Sequence, residues 1–404
     1  MNISKGITEI SEISQFYVGK NIFVTGATGK CIFFFNVSSK VIQNLRTGFM
    51  GKVLVEKLLR DCEDLSMIYI LVRTKKGVDP VQRHADYVKH MVFNKIREEN
   101  PSQLKKIRVV KGDVSIDGLD LTQVDEQELI NNVNLVFHCA ANVRFDLTLK
   151  DAINFNTKGS YRMLQLAEKM KNLNVFTHVS TAYCQCNEDV LEERFYPANE
   201  DPYGVMAMVK LLKDDTLKMI TPKLLNGLPN TYAFSKGLTE DLMHSFADKF
   251  PIVIARASVV TAAWKTPYVG WIEGLNGPTG MMIGAGKGVI RTIHCNPDNT
   301  SEAVPVDVTI NAIIALAYKR SKMSGNICYF CNLTESGTNP MNWGETIETG
   351  KKLNYEYPQS QLLWYPGGSI KRNYYYHMIC VIFFHYLPAY LIDFLMLILG
   401  HKPL

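Results

Sequence analysis

The sequence predicts an α/β protein built on a doubly wound parallel sheet, and three observations carry that expectation. Short, fully apolar runs rich in β-branched residues alternate with segments of helical spacing along most of the chain. The first run, Asn21 to Thr25, enters a glycine-rich turn, Gly26-Ala27-Thr28-Gly29. Several later runs end in small, polar or basic residues, at the strand ends where open α/β sheets bind their ligands.

The elements follow in order. After the glycine turn, Val53 to Leu59 carries an apolar stripe at helical spacing. Met67 to Val72 reads as a second buried strand, closed by Arg73 and a basic turn, Lys75-Lys76-Gly77. A third strand, Ile107 to Val110, runs into Gly112-Asp113, and a fourth, Leu135 to His138, into Cys139-Ala140-Ala141-Asn142. A helix spans about Asp151 to Met170, a fifth strand, Val175 to Val179, ends in Ser180-Thr181, and a sixth, Ile252 to Ala255, ends in Arg256. This is the pattern of a Rossmann-type sheet. From Ser336 the pattern changes: a helical segment starts near Asn339 to Trp343, and an aromatic stretch leads into Met378–Leu399. In those 22 residues only His385, Pro388 and Asp393 are neither apolar nor aromatic, so the segment is long enough to cross a bilayer or to form a buried helix. The expected domains are therefore 1–335, carrying the nucleotide and substrate sites, and 336–404, helical and membrane-associated.

Composition narrows the function. A net charge of +5, with 47% hydrophobic and 21% charged residues among 404, is that of a globular protein. No Lys/Arg-rich run or nucleic-acid module is present. The nine cysteines form no paired framework, which implies reduced thiols in an intracellular protein. Met1 to Gln15 is polar and lacks the apolar stretch of a secretory signal.

Tyr232 and Lys236, four apart in Tyr-Ala-Phe-Ser-Lys, share one face of a helix. A carbonyl that receives a hydride needs a proton; a tyrosine gives it more readily when an ammonium lowers its pKa from about 10. The spacing alone also fits a surface pair. Ser180 and Thr181, about fifty residues earlier at a strand end, supply the context: a hydroxyl there can hold the carbonyl oxygen beside Tyr232. Gly26 onward suits a pyrophosphate at a helix N-terminus. Arg73, just after the second strand, suits the 2′-phosphate of NADP, where an acidic residue would suit the NAD ribose. Asp113 is placed to meet the adenine, and Ala140, Ala141 and Asn142 to line the cofactor. Asn156 is expected to bind backbone within the fold. His294 and Cys295 read as a loop histidine and a buried thiol rather than a thiol catalyst.

Specific stretches add a family resemblance: Asn21-IFVTGATG, Gly48-FMGKVLVEKLLR, Tyr69-ILVRTKKG, Lys111-GDVS, Val136-FHCAANVRFD, Thr177-HVSTAYC, Tyr232-AFSK, Trp271-IEGLNGPTG and Val304-PVDV. Together they resemble the extended short-chain dehydrogenases and, within them, the insect-type fatty acyl-CoA reductases of the male sterility type. The resemblance implies a cofactor site at Gly26, Thr28, Gly29, Phe49, Met50, Gly51 and Arg73, and catalysis by Thr181, Tyr232 and Lys236. It implies two rounds of hydride transfer from NADPH to a long-chain acyl-CoA, through an aldehyde to a fatty alcohol. It also implies a helical C-terminal domain on an intracellular membrane, endoplasmic reticulum or peroxisome, with the enzyme facing the cytosol; no Ser-Lys-Leu ends the chain, which stops early relative to the family.

Two departures stand out. Ala257 replaces the usual proline after Arg256. More seriously, the family reads TGATGFMGK without a break, and here Lys30 to Thr47, 18 residues, intervenes. Gly29-Lys30-Cys31 and Thr47-Gly48 can be encoded with splice donor and acceptor signals, so the segment resembles an intron translated in frame. Loop closure costs little extra with length, so the fold is expected to survive; the phosphate turn needs its glycines adjacent and is expected to lose cofactor. The competing readings are a sterol or nucleotide-sugar dehydrogenase, which leaves Asn276-GPTG unexplained, and a catalytically dead splice product or membrane-bound scaffold.

Overall fold

The computed structural model describes residues 11–28, 48–73, 80–274, 277–335, 337–360 and 362–402. Gly29, the segment 30–47, Lys75, Lys76 and Asn276 lie outside the described residues. The chain forms two compact units: Met1–Glu273 with Val304–Leu333, and Gly274–Ala303 with Thr334–Leu404.

The first unit is a seven-stranded sheet: β1 (Asn21–Thr25), β2 (Met67–Val72), β3 (Ile107–Lys111), β4 (Leu135–His138), β5 (Val175–Thr181), β6 (Ile252–Ala257) and β7 (Cys328–Leu333). Its order is β7-β6-β5-β4-β1-β2-β3 and every pairing is parallel, for example Ile22 opposite both Ile68 and Leu135. The sequence pattern explains the burial: all six residues of β6 are buried, and so are five of six in β2. Side chains alternate between faces. Ile22, Val24, Ile68 and Ile70 pack with Val53, Leu54 and Leu58 of α1 (Phe49–Asp61). Phe23, Tyr69 and Val136 pack on the other face with Met163 and Leu164 of α2 (149–169) and with Leu238 and Leu242 of α3 (Thr231–Ser245). α2 contains one wide π-turn at Ile153–Thr157. The chain reverses winding direction between β1 and β4, which opens a crevice at their carboxyl ends.

A fourth helix, α4 (Val306–Lys322), carries Arg320, whose side chain is fully buried. Its guanidinium donates to the carbonyls of Ile252, Met323, Gly325 and Ile327 at 2.8–3.3 Å and so ties the turn before β7 to the start of β6.

The second unit takes in 274–303 as well as the C-terminal segment, because the pieces complete one another. The helix Gly277–Gly286 brings Met282 against Gly350 of the helix Trp343–Glu356, and Thr292–His294 pairs in parallel with Ser369–Lys371. Asn342 and Glu345 close a capping box at the start of the second of these helices. A 25-residue helix, Tyr374–Ile398, follows, with a mean hydropathy of 1.9 over an 18-residue stretch of it. At about 1.5 Å per residue it is long enough to cross a hydrocarbon core. A π-turn at Ile382–Tyr386 precedes Pro388 and relieves the clash of its ring with the carbonyl four residues back. His377 and His385 face Thr292–His294: the rings meet the Thr292 hydroxyl at 3.1 Å and the Arg291 N–H at 2.9 Å. Most of the apolar side chains along the rest of the helix are exposed.

Replacing Arg320 by Ala strips the buried Ile252 carbonyl and three partly buried carbonyls of their donor. Urea unfolding should show a loss of about 2–4 kcal/mol, in the range of a broken buried network.

Candidate active site

The glycine turn is assembled from two stretches of chain. Gly26 follows β1 with φ +80°, and a Cβ on it would lie 2.6 Å from the Cys139 carbonyl carbon. Gly48 caps α1, and a Cβ there would lie 2.6 Å from Ala27 C and Thr28 N; one on Gly51 would lie 2.7 Å from Ala27 Cα and Gly26 O. Only hydrogen fits at these three places. Gly48 and Gly51 therefore sit directly on the backbone of Gly26–Thr28, although 19 residues separate Thr28 from Gly48 in the chain. Phe49 is buried and Met50 partly buried in the first turn of α1. The unpaired N–H groups of that turn and the close glycines form a cradle that fits the pyrophosphate of a dinucleotide. Lys52, in the same turn, does not serve as a phosphate lysine: its ammonium is buried against the Glu273 carboxylate.

Arg73, at the end of β2, lies 3.9 Å from Asp113 and stacks over Phe155 at 5.4 Å. Asp113 accepts from the Ser115 N–H and hydroxyl. Arg83, which the sequence did not mark, joins this end of the site. It donates to the Thr28 carbonyl at 3.4 Å, and burial and the charge of Arg73 both press its pKa down. It stands on the helix Pro80–Val88 with no motif around it, so nothing in the spacing could have found it. On the other side of the turn, Ala140 N bonds Thr25 Oγ1 at 3.3 Å, and Asn142 N donates to Asn156 Oδ1 at 2.8 Å. Asn156 also reaches Asn142 O and the Ser235 hydroxyl, so it does bind within the fold.

Thr181 ends β5, and its side chain lies beside Tyr232 in the first turn of α3, near enough to lower the phenol's pKa. Lys236 follows one turn later, 2% exposed, donating to Val179 O and meeting His178 Nε2, both at 2.9 Å. Burial lowers its pKa to about 8. The expected lowering of the Tyr232 pKa by Lys236 is not what the geometry produces. Burial and the neighbouring Cys184 raise it and the nearby Thr181 hydroxyl opposes them, while the Lys236 ammonium is turned to β5. Tyr232 is a neutral phenol at ordinary pH.

Ser180 is not available to a ligand: it donates to Glu240 Oε1 at 2.5 Å. Glu240 is one more turn along α3 and is fully buried with Arg256 of β6, which grips it at 2.7–3.1 Å. The pair locks the end of β5 to the face of α3 that bears Tyr232 and Lys236. In the second unit His294 ends the short strand Thr292–His294 rather than lying in a loop, and the Cys295 thiol is half-buried rather than buried; His294 Nε2 contacts Arg372 O and Cys295 Sγ contacts Asn296 O.

A glycine cradle at the switch point and a Thr–Tyr–Lys set one strand away have the form of a nicotinamide-dependent oxidoreductase of the extended short-chain dehydrogenase type. Comparison with known proteins makes this narrower. A family model described as "Male sterility protein", a nucleotide-binding domain, matches residues 46–313 and so begins just before Gly48. Fatty acyl-CoA reductase 1 of Xenopus laevis is 37% identical over 395 residues, 97% of this chain and 72% of its own. Fatty acyl-CoA reductase wat of Drosophila melanogaster is 34% identical over 98% of this chain and 73% of its own. Among solved structures, the reductase domain of a nonribosomal peptide synthetase from Mycobacterium tuberculosis superposes with a TM-score of 0.60 at 19% identity, covering 91% of this chain and 79% of that one, which bears on the fold alone. The chain belongs to the fatty acyl-CoA reductase family.

Alanine suits a helix better than glycine, so Gly51→Ala isolates the close approach from helix propensity. Its methyl would collide with Ala27; a fluorescence titration should show nicotinamide cofactor affinity falling by more than about tenfold, with a stability loss of about 1–3 kcal/mol.

Proposed function

We propose that this chain is an alcohol-forming reductase of long-chain acyl-CoA that uses NADPH. The observation that carries the proposal is the placement of Tyr232 beside Thr181 at the end of β5, with Lys236 one turn on along the same face of α3 and bonded to Val179 O. The two hydroxyls converge on one point, where they can hold the oxygen of a thioester or aldehyde. Tyr232, kept neutral by burial, has a proton to give as negative charge grows on that oxygen. NADPH, when bound, supplies the hydride. The first reduction expels CoA as its thiol and leaves an aldehyde, and the second gives the alcohol; each consumes one hydride and one proton.

The preference for NADPH is supported by Arg73 and Arg83. Burial and Arg73 both disfavour the charge on Arg83, and a phosphate dianion between them would relieve that repulsion. Residues at Gly26, Thr28, Phe49, Met50 and Gly51 would hold the pyrophosphate, with Gly29 supplying the turn as the family motif implies. Asp113 and Ala140 to Asn142 would line the adenosine and nicotinamide ends. The helix Tyr374–Ile398 supports association with an intracellular membrane, its exposed apolar side chains lying among Tyr and Phe rings. The segment 30–47 favours a second reading, a folded chain without cofactor; the seating of Gly48 and Gly51 on Gly26–Thr28 favours the first.

Incubation with palmitoyl-CoA should oxidise two NADPH per acyl-CoA and release hexadecanol, with no turnover of sterols; turnover of a sterol instead would overturn the proposal. Tyr232→Phe should lower kcat by about a hundredfold or more, the size of a lost general acid, with little change in NADPH affinity. Lys236 is an ammonium below its pKa of about 8 and neutral above it, so activity should decline as pH rises through that value.

A further inference from the structure

The Lys236 ammonium has an unusual neighbour. Its Nζ lies 2.9 Å from Nε2 of His178, the fourth residue of β5. An ammonium only donates, so Nε2 accepts, and the ring proton is fixed on Nδ1. That Nδ1 is buried and has no hydrogen-bond partner among the described residues. A buried unpaired N–H is costly, and an apolar side chain would fill this inner strand position without it. The tautomer makes sense only for what Nε2 does.

The surroundings keep His178 from charging. Burial, the Lys236 ammonium and His138 all press its pKa far down. His138, in β4, stands 5.4 Å away ring to ring and is itself tied at both nitrogens, to Thr25 Oγ1 at 2.7 Å and to Ser160 Oγ at 2.9 Å. The other titratable groups facing Lys236 are Cys139 after β4, Cys184 after β5 and Glu240 on α3. Glu240 is held by Arg256 and Ser180, and burial lifts both thiols, so none of them is an anion free to take the ammonium. His178 Nε2 and Val179 O engage two of its three protons. The third remains for a ligand at the strand ends.

We propose that His178 is a positioning residue for the reduction: a neutral imidazole whose Nε2 holds the Lys236 ammonium at the end of β5, one proton turned toward bound cofactor and substrate. It acts through Lys236 and touches neither ligand. The proposal rests on the reductase reading only for its kinetic consequence.

Two polar variants separate this role from simple packing. The amide of Gln reaches the place of Nε2, and that of Asn only the place of Nδ1. In His178→Asn the ammonium loses its acceptor, so the alkaline fall in kcat/KM should move down by about one pH unit, a tenfold change in the proton affinity of Lys236. In His178→Gln it should return to within a few tenths of a unit of the parent. A second readout needs neither cofactor nor substrate. In urea unfolding, His178→Gln should be the more stable variant below about pH 8, and the gap should narrow as pH rises and Lys236 loses its proton in the folded state. If the parent reduces no acyl-CoA, the reductase reading fails while the unfolding gap still decides the role of His178. Equal alkaline limbs for Asn and Gln, or a gap that does not change with pH, would overturn the proposal.

Discussion

The contact on which the site depends is the packing of Gly48 and Gly51 against the backbone of Gly26, Ala27 and Thr28. A methyl group at any of Gly26, Gly48 or Gly51 would sit 2.6–2.7 Å from main-chain atoms, so the strand, the turn and the helix meet at a distance that only glycine permits. That contact fixes where α1 begins, and with it the direction of the N–H groups in its first turn. It also presses Gly26 against Cys139, which joins the ends of β1 and β4 at the switch point. The fold thus brings together glycines that the sequence separates. Loop entropy grows slowly with length, so the separation itself adds little to the cost.

A second constraint organises the chemical end. One face of α3 carries Tyr232, Lys236 and Glu240, one turn apart; Tyr232 lies beside Thr181, while Lys236 is bonded to Val179 and His178 and Glu240 to Ser180 of β5. Arg256 closes the far end and also holds the carbonyls of Glu192 and Arg194. Breaking such a buried ion pair is costly because the remaining charge has no other partner, so the arrangement is rigid as well as polar. The consequence is a neutral phenol beside the Thr181 side chain.

Five of the seven strands were legible because nearly all their residues are buried, and an unbroken apolar run records that directly. β3, at one edge with only Ile107 and Val110 buried, was legible from the β-branched residues around Arg108. β7 was not. Cys328–Leu333 is an edge strand with only Phe330 and Leu333 buried, and its cysteines and Asn332 break the apolar signal. Thr181, Tyr232 and Lys236 were legible as a set because helical spacing and a strand end are sequence properties. What Lys236 does to Tyr232 was not, since it depends on which way a flexible ammonium turns, and β5 decides that. Arg83 and His178 were invisible for a similar reason: each acquires its partner only when distant segments meet. The segment 30–47 predicts a broken phosphate turn from spacing along the sequence. In space Gly48 and Gly51 lie on the backbone of Gly26–Thr28, which spacing along the sequence could not reveal.

The central claim is that Gly48 and Gly51 rebuild the nucleotide turn across the intervening segment. A fluorescence titration with NADPH of the chain as it stands, beside a version lacking Lys30 to Thr47, tests it most directly. Saturable binding by both is expected, with affinities within about tenfold, or 1.4 kcal/mol. Binding by the shortened version alone would contradict it, and would assign the reductase to the spliced form.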